Sequence, residues 1–228
     1  RRPLLNFTLG LGRDGSGAWR IASELAAAVP EYQFERPVTG DQLVALLDEA
    51  GIERAVALSV AYCFGSPSRA WPGEEYAKVR AENDWVAAQA ARHPDRLVPF
   101  CGVSPLREYA VREVRRCASE LGMKGLKMHF RSSRVDVFNP EHVATVREVL
   151  RTANELGMAL VLHSRGGTTY GREHARAFLD SILPAAPDVP VQIAHVWGGN
   201  EYNAEALAVF ADAVSGGGPR RGNLYFDL

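Results

Sequence analysis

The sequence predicts an α/β chain folded as a (β/α)8 TIM barrel, incomplete at both ends, with barrel strands two to seven readable. Three observations carry this. Short apolar or β-branched runs alternate with longer amphipathic stretches from about residue 52 onward. No Gly-x-Gly-x-x-Gly follows the first clear run, as it would in a doubly wound dinucleotide-binding sheet. Polar, reactive residues recur at the C-terminal ends of several runs, where barrel enzymes assemble their sites.

In chain order, Pro3–Leu9 reads as a strand, Leu11–Gly17 as a glycine-rich loop and Ile21–Val29 as a short helix. Gly40–Ala50 is amphipathic and stops at Gly51. The strand-like runs follow at Arg54–Val60, Leu97–Val103, Gly125–His129, Met158–His163, Val189–His195 and Asn223–Leu228. Between them lie the helical stretches Glu74–Arg92, Glu108–Leu121, Pro140–Leu156, Arg172–Leu183 and Glu201–Val214. Asn139-Pro140-Glu141 supplies a cap residue, a proline suited to the first helical position and a first-turn carboxylate. Glu120-Leu121-Gly122 and Glu155-Leu156-Gly157 each end a helix at a glycine able to take a left-handed turn. Strands separated by helical crossovers run parallel. No linker or low-complexity tract divides the chain, so residues 1–228 read as one barrel domain. Its strands one and eight are expected to lie outside the sequence, which starts at Arg1 and stops within an apolar run.

The chain has 228 residues, is 46% hydrophobic and carries a formal net charge of -1. That suffices for one large core and offers no basic cluster to grip nucleic acid or an anionic membrane. Cys63, Cys101 and Cys117 form no paired spacing and fit a reducing, cytoplasmic setting.

Three runs end in histidine: Gly-Leu-Lys-Met-His at 125–129, Ala-Leu-Val-Leu-His at 159–163 and Val-Gln-Ile-Ala-His at 191–195. Side chains alternate across a strand, so Lys127 and His129 share a face. With His163 and His195 they are placed to converge at the barrel mouth. Imidazole binds zinc and similar ions, and a catalytic site takes about three protein ligands and an open position. A histidine off the metal serves as a general acid or base. Arg131 and Arg165 follow two of these strands and suit a carboxylate substrate or a rim salt bridge. Tyr170 and Trp197 are placed to line the pocket or to cover it. The other histidines, His93, His142 and His174, fall at helix ends and read as structural, as does each strand-end histidine taken alone.

Gly-Leu-Lys-Met-His, Leu-Val-Leu-His-Ser and Gln-Ile-Ala-His-Val-Trp-Gly-Gly together resemble the amidohydrolase superfamily. The resemblance is to its amidohydrolase-related branch, which includes aminocarboxymuconate-semialdehyde decarboxylase. Leu-Leu-Asp-Glu-Ala-Gly-Ile-Glu-Arg-Ala-Val at 46–56 and His93-Pro94-Asp95-Arg96-Leu97 extend it over roughly residues 37–228. The resemblance implies a metal-dependent hydrolase that turns metal-activated water on an amide, ester or lactone. A decarboxylase of an unsaturated acid on the same barrel is the first alternative, and an inactive barrel serving as a binding module the second. It implies a divalent metal, zinc with manganese as the alternative, held by His163 and His195. His195 and Lys127 would be catalytic, and His129, Arg131, Arg165, Tyr170 and Trp197 would contact a small, carboxylate-bearing substrate in a homodimer. The chain departs from the family in lacking the strand-one His-x-His pair; Asn6-Phe7-Thr8 lies where it would fall. The strand-eight aspartate would lie beyond Leu228, and Asp227 reads as a strand-seven residue.

Overall fold

The computed structural model describes residues 39–67, 73–164, 170–197, 203–216 and 223–227, together with the backbone of 11–13 and 19–21. Six parallel strands form one sheet: β3 (Ala55–Leu58), β4 (Leu97–Gly102), β5 (Gly125–His129), β6 (Ala159–His163), β7 (Val191–Ile193) and β8 (Leu224–Phe226). Their order across the sheet is their order in the chain. A doubly wound sheet reverses its order at a switch point; this one does not, and the sequential winding is that of a barrel wall.

The helices between the strands follow the predicted punctuation. They are α1 (Gly40–Ala50), α2 (Glu75–Ala91), α3 (Ala110–Ser119), α4 (Phe130–Ser133), α5 (Pro140–Glu155), α6 (Arg172–Ala177) and α7 (Ala204–Ser215). At the start of α5 the Asn139 side chain accepts from the Glu141 and His142 backbone N–H groups, with Pro140 at the first turn. Gly51, Gly122 and Gly157 all adopt positive φ where helices stop.

Three expectations are corrected. Leu11–Arg13, read as loop, is a strand (β1) paired antiparallel with Trp19–Ile21 (β2). Ile21 therefore belongs to a strand rather than to a helix, while Pro3–Leu9 and the rest of Ile21–Val29 lie outside the described residues. The Arg172–Leu183 helix is α-helical over Arg172–Ala177 alone. It widens into a π-turn at Phe178–Ile182 and tightens into a 3-10 turn at Leu183–Ala185, where Pro184 cannot continue the ladder.

The outer face of the sheet carries the main core. Leu126, Met128, Leu160, Leu162, Val191 and Ile193 are buried there beneath Val146, Val149 and Leu150 of α5, the π-turn residue Ile182 and other helical apolar side chains. The inner face holds a smaller cluster of Phe100, Val161 and Ala194. Gly125 is required there: a Cβ on it would stand 2.2 Å from the Phe100 ring, its neighbour in register. Cys101 points outward into the core near Cys117, because it alternates with the inward Phe100.

Polar groups fasten the strand ends to the helices. Asn83 on α2 accepts from the Gly102 N–H at 2.9 Å and donates to the Gly102 carbonyl at 3.3 Å and to Glu113 at 2.9 Å. Glu113 is fully buried and held by the Arg116 fork at 2.7 and 2.9 Å. Burial pushes its carboxyl up, but hydrogen bonds from Arg116, Asn83 and Tyr76 outweigh that and leave it below the ordinary value. Glu82, one residue before Asn83, is equally buried and lacks such donors; desolvation pushes it up to about 8.

Candidate active site

The C-terminal ends of β5, β6 and β7 bring three imidazoles together. His129 and His163 are partners in register, and their rings stack at 4.0 Å between centroids. His195 meets His163 edge to face at 4.9 Å. On the other side of His129 the Tyr62 ring stacks at 5.3 Å, delivered by the 3-10 turn Ala61–Cys63 that follows β3. Burial raises the Tyr62 phenol pKa far above its ordinary value.

His129 closes its strand and caps α4. Its Nδ1 accepts the Ser132 backbone N–H at 3.0 Å, which leaves Nε2 to carry the proton of the neutral ring. One row deeper, Gly102, Lys127, Val161, Gln192 and Tyr225 align across five strands. Lys127 therefore stands on the inner face below His129. It is 6% exposed, and desolvation lowers its ammonium to about 8, with the charge of Asp227 pulling the other way. Near neutrality such a lysine is still chiefly ammonium, but it gives up its proton more readily than an ordinary lysine.

His195 is not at the end of a straight strand. β7 stops at Ile193, and His195, Val196 and Trp197 follow with φ of 54°, 49° and 67°. Three successive non-glycine residues in the left-handed region cost roughly 1–2 kcal/mol each. Tertiary contacts hold them. Trp197 is 2% exposed, between Phe178 and Phe210 at 5.4 and 4.9 Å, and its Nε1 donates to the Tyr170 carbonyl at 3.1 Å. The Ser164 hydroxyl donates to the Trp197 carbonyl at 3.4 Å. Asp227, just past β8, accepts the His195 backbone N–H on Oδ1 and the Gln192 side-chain amide on Oδ2; Oδ1 also lies 3.6 Å from His195 Nδ1.

The remaining sequence candidates fall differently. Arg131 sits exposed on α4 at the rim. Tyr170 is half-buried, with its hydroxyl donating to the Val135 carbonyl at 3.4 Å and its ring against His174 at 4.7 Å. Trp197 is turned into the apolar core, so it anchors the turn rather than lining an open pocket. Arg165, with the Gly166–Thr169 loop, lies outside the described residues, as do Gly198 and Gly199. Sequence reasoning missed Tyr62, which follows its strand in a turn that no periodicity announces. It discounted Asp227, although the alternation that pairs Lys127 with His129 also pairs Tyr225 with Asp227 on the inner face.

A divalent-ion site draws on imidazole, thiolate and carboxylate donors. His163 and His195 offer two imidazoles. His129 is stacked face to face on His163, so its in-plane lone pairs run alongside rather than meeting those of its neighbour. Among the described residues no group of three His, Cys, Asp or Glu side chains forms a metal cluster. They hold part of a donor set, short of the roughly three ligands of a catalytic zinc site. No helix among them is long and apolar enough to cross a membrane.

A family model described as Amidohydrolase matches residues 67–227, well over half of the chain. Several solved structures share the fold. A 5-carboxyvanillate decarboxylase from Novosphingobium aromaticivorans, complexed with manganese and 4-hydroxy-3-methoxy-5-nitrobenzoic acid, is 19% identical, with a TM-score of 0.58 over 81% of this chain and 61% of that one. A 2,6-dihydroxybenzoate decarboxylase from Rhizobium is 19% identical, with a TM-score of 0.51 over 72% of this chain and 58% of that one. A 4-oxalomesaconate hydratase from Rhodopseudomonas palustris is 15% identical, with a TM-score of 0.55 over 90% and 68%. The chain spans between 49% and 61% of the length of the carboxyvanillate decarboxylases it resembles. No curated protein matches it.

Proposed function

The chain belongs to the amidohydrolase family, and on that premise we propose that it carries the strand-end apparatus of a metal-dependent decarboxylase acting on a small aromatic or otherwise unsaturated carboxylic acid. The observation that carries this reading is the meeting of His129, His163 and His195 at adjacent strand ends, above a buried lysine lowered to about 8. Decarboxylation breaks one carbon–carbon bond, releases CO2 and returns a proton to the vacated carbon. It needs a grip on the substrate and a proton source, and the site offers both.

His195 is the group placed to move that proton, with Lys127 on the inner face as its reserve. His129, held by the Ser132 N–H at its Nδ1, would contact the substrate, and Arg131 is the rim cation that would hold a carboxylate. His163, and with it His195, would hold the ion. The ion, zinc or manganese, would supply Lewis-acid stabilisation of charge on substrate oxygens. Manganese and a benzoate analogue in one protein of the same fold support the metal and the substrate class.

A hydrolase with metal-activated water is the second reading, favoured by the family match itself. Isotopic labelling separates the two. The full-length protein is incubated with manganese or zinc and a panel of hydroxybenzoates and their carboxylated derivatives in deuterated water. The expected result is CO2 release with one deuterium at the vacated carbon, and a loss of roughly 10²–10⁴-fold in His195→Ala. Solvent oxygen appearing in the product of an amide or lactone, with no CO2 from any acid, would sink the decarboxylase.

A further inference from the structure

We infer that Asp227 is the positioning residue of this site, the latch that holds the left-handed turn presenting the His195 ring. The inference rests on the role proposed for His195. Three left-handed residues in succession, one of them the β-branched Val196, do not persist by local preference. The turn is pinned at both ends. At its far end Trp197 is locked among Phe178, Phe210 and the Tyr170 carbonyl. At its near end the His195 ring meets His163, and Asp227 supplies the hydrogen bond to the backbone.

The aspartate bridges the kink. Its own N–H donates to the Ile193 carbonyl at 3.4 Å, continuing the β7–β8 ladder, so its carboxylate is delivered just where β7 breaks off. Oδ1 then takes the His195 N–H, a donor that the break in the strand would leave without a ladder partner. Oδ2 takes the Gln192 amide from the inner face of β7 and fixes the carboxylate plane. The same Oδ1 is 3.6 Å from His195 Nδ1, so the carboxylate lies beside the ring while it bonds the backbone of the same residue. An asparagine would retain an acceptor for the His195 N–H but would oppose its own amide hydrogens to those of Gln192.

The test uses the full-length protein with Asp227→Ala, Asp227→Asn and the His195→Ala control. Amide hydrogen exchange across 194–197 is followed without metal, alongside kcat and KM for whichever acid is decarboxylated. In Asp227→Ala, exchange at the His195 amide is expected to speed up at least about tenfold, and kcat to fall about 10–100-fold, as loss of a hydrogen bond to a charged group implies. KM is expected to change little, because the substrate-holding groups remain. Asp227→Asn is expected to fall between the two proteins in both readouts, and it decides the matter if the alanine variant does not fold. Wild-type exchange and wild-type kcat in a folded Asp227 variant would overturn the latch, as would a lowered melting temperature with both readouts intact. A His195→Ala variant of full activity would instead overturn the functional reading, and the exchange data would still judge the latch.

Discussion

The outer and inner faces of the six-stranded sheet are drawn from the same few residues in alternation, yet they solve opposite problems. On β5, Leu126 and Met128 point outward and are fully buried, while Lys127 and His129 point inward and are almost as buried. Outward, every strand adds hydrocarbon to the core that the helices cover, at about 25 cal/mol per Å² removed from water. Inward, Phe100, Val161 and Ala194 make a small floor, and above it stand a lysine, three imidazoles, a glutamine and an aspartate. Lys127 and His129 are kept buried against their solvation preference, on one face and at one end of the sheet.

This comparison can be sharpened by substitution. The largest stability effect is expected outward: Leu160→Ala should destabilise by about 3 kcal/mol, because the helices above cannot collapse onto the space left behind. Denaturant unfolding measures this, and metal affinity should be unchanged. Inward, Lys127→Met should stabilise the fold by about 2 kcal/mol near neutral pH while removing activity. The sign follows from linkage. The folded pKa, about 8, lies below the ordinary 10.5, so the unfolded chain binds more protons between those values. The contribution of Lys127 to stability is therefore complete above 10.5 and lost as pH falls toward 8. Wild type should gain stability across that window, and Lys127→Met should lose that part of the slope. The smallest effect belongs to the inner floor. Gly125→Ala should cost about 1–2 kcal/mol by displacing the Phe100 ring, read as a shift in the urea midpoint. A neutral result would mean that the floor is loosely packed and the two faces differ less than described.

Much of the scaffold was legible beforehand because it depends on local rules. The short apolar and β-branched runs located all six strands of the sheet, and the Asn139-Pro140 cap placed the start of α5. Leu11–Arg13 reads as loop from its glycine-rich surroundings, whereas its strand is defined by pairing with Trp19–Ile21. The His129, His163 and His195 positions were visible as strand-ending histidines. What their rings do was not: the cap that sets the His129 tautomer, and the Tyr62 stack, join residues that no spacing relates. Trp197, equally available to a pocket or to a core, went to the core because Phe178 and Phe210 make a cage for it there.

The sequence by itself determined a parallel α/β winding and the end of the sheet where polar groups gather, since alternation and helix punctuation act over a few residues. Only the tertiary structure decided that β7 breaks before His195, and that an aspartate from the next strand meets the broken end. It also decided that Glu113 is held below its ordinary pKa while Glu82, buried as deeply, is driven up to about 8. The reason is physical. A backbone in the left-handed region and a charge in the interior are both locally unfavourable, so each exists only where partners distant in sequence arrive to compensate it, or is left shifted where they do not.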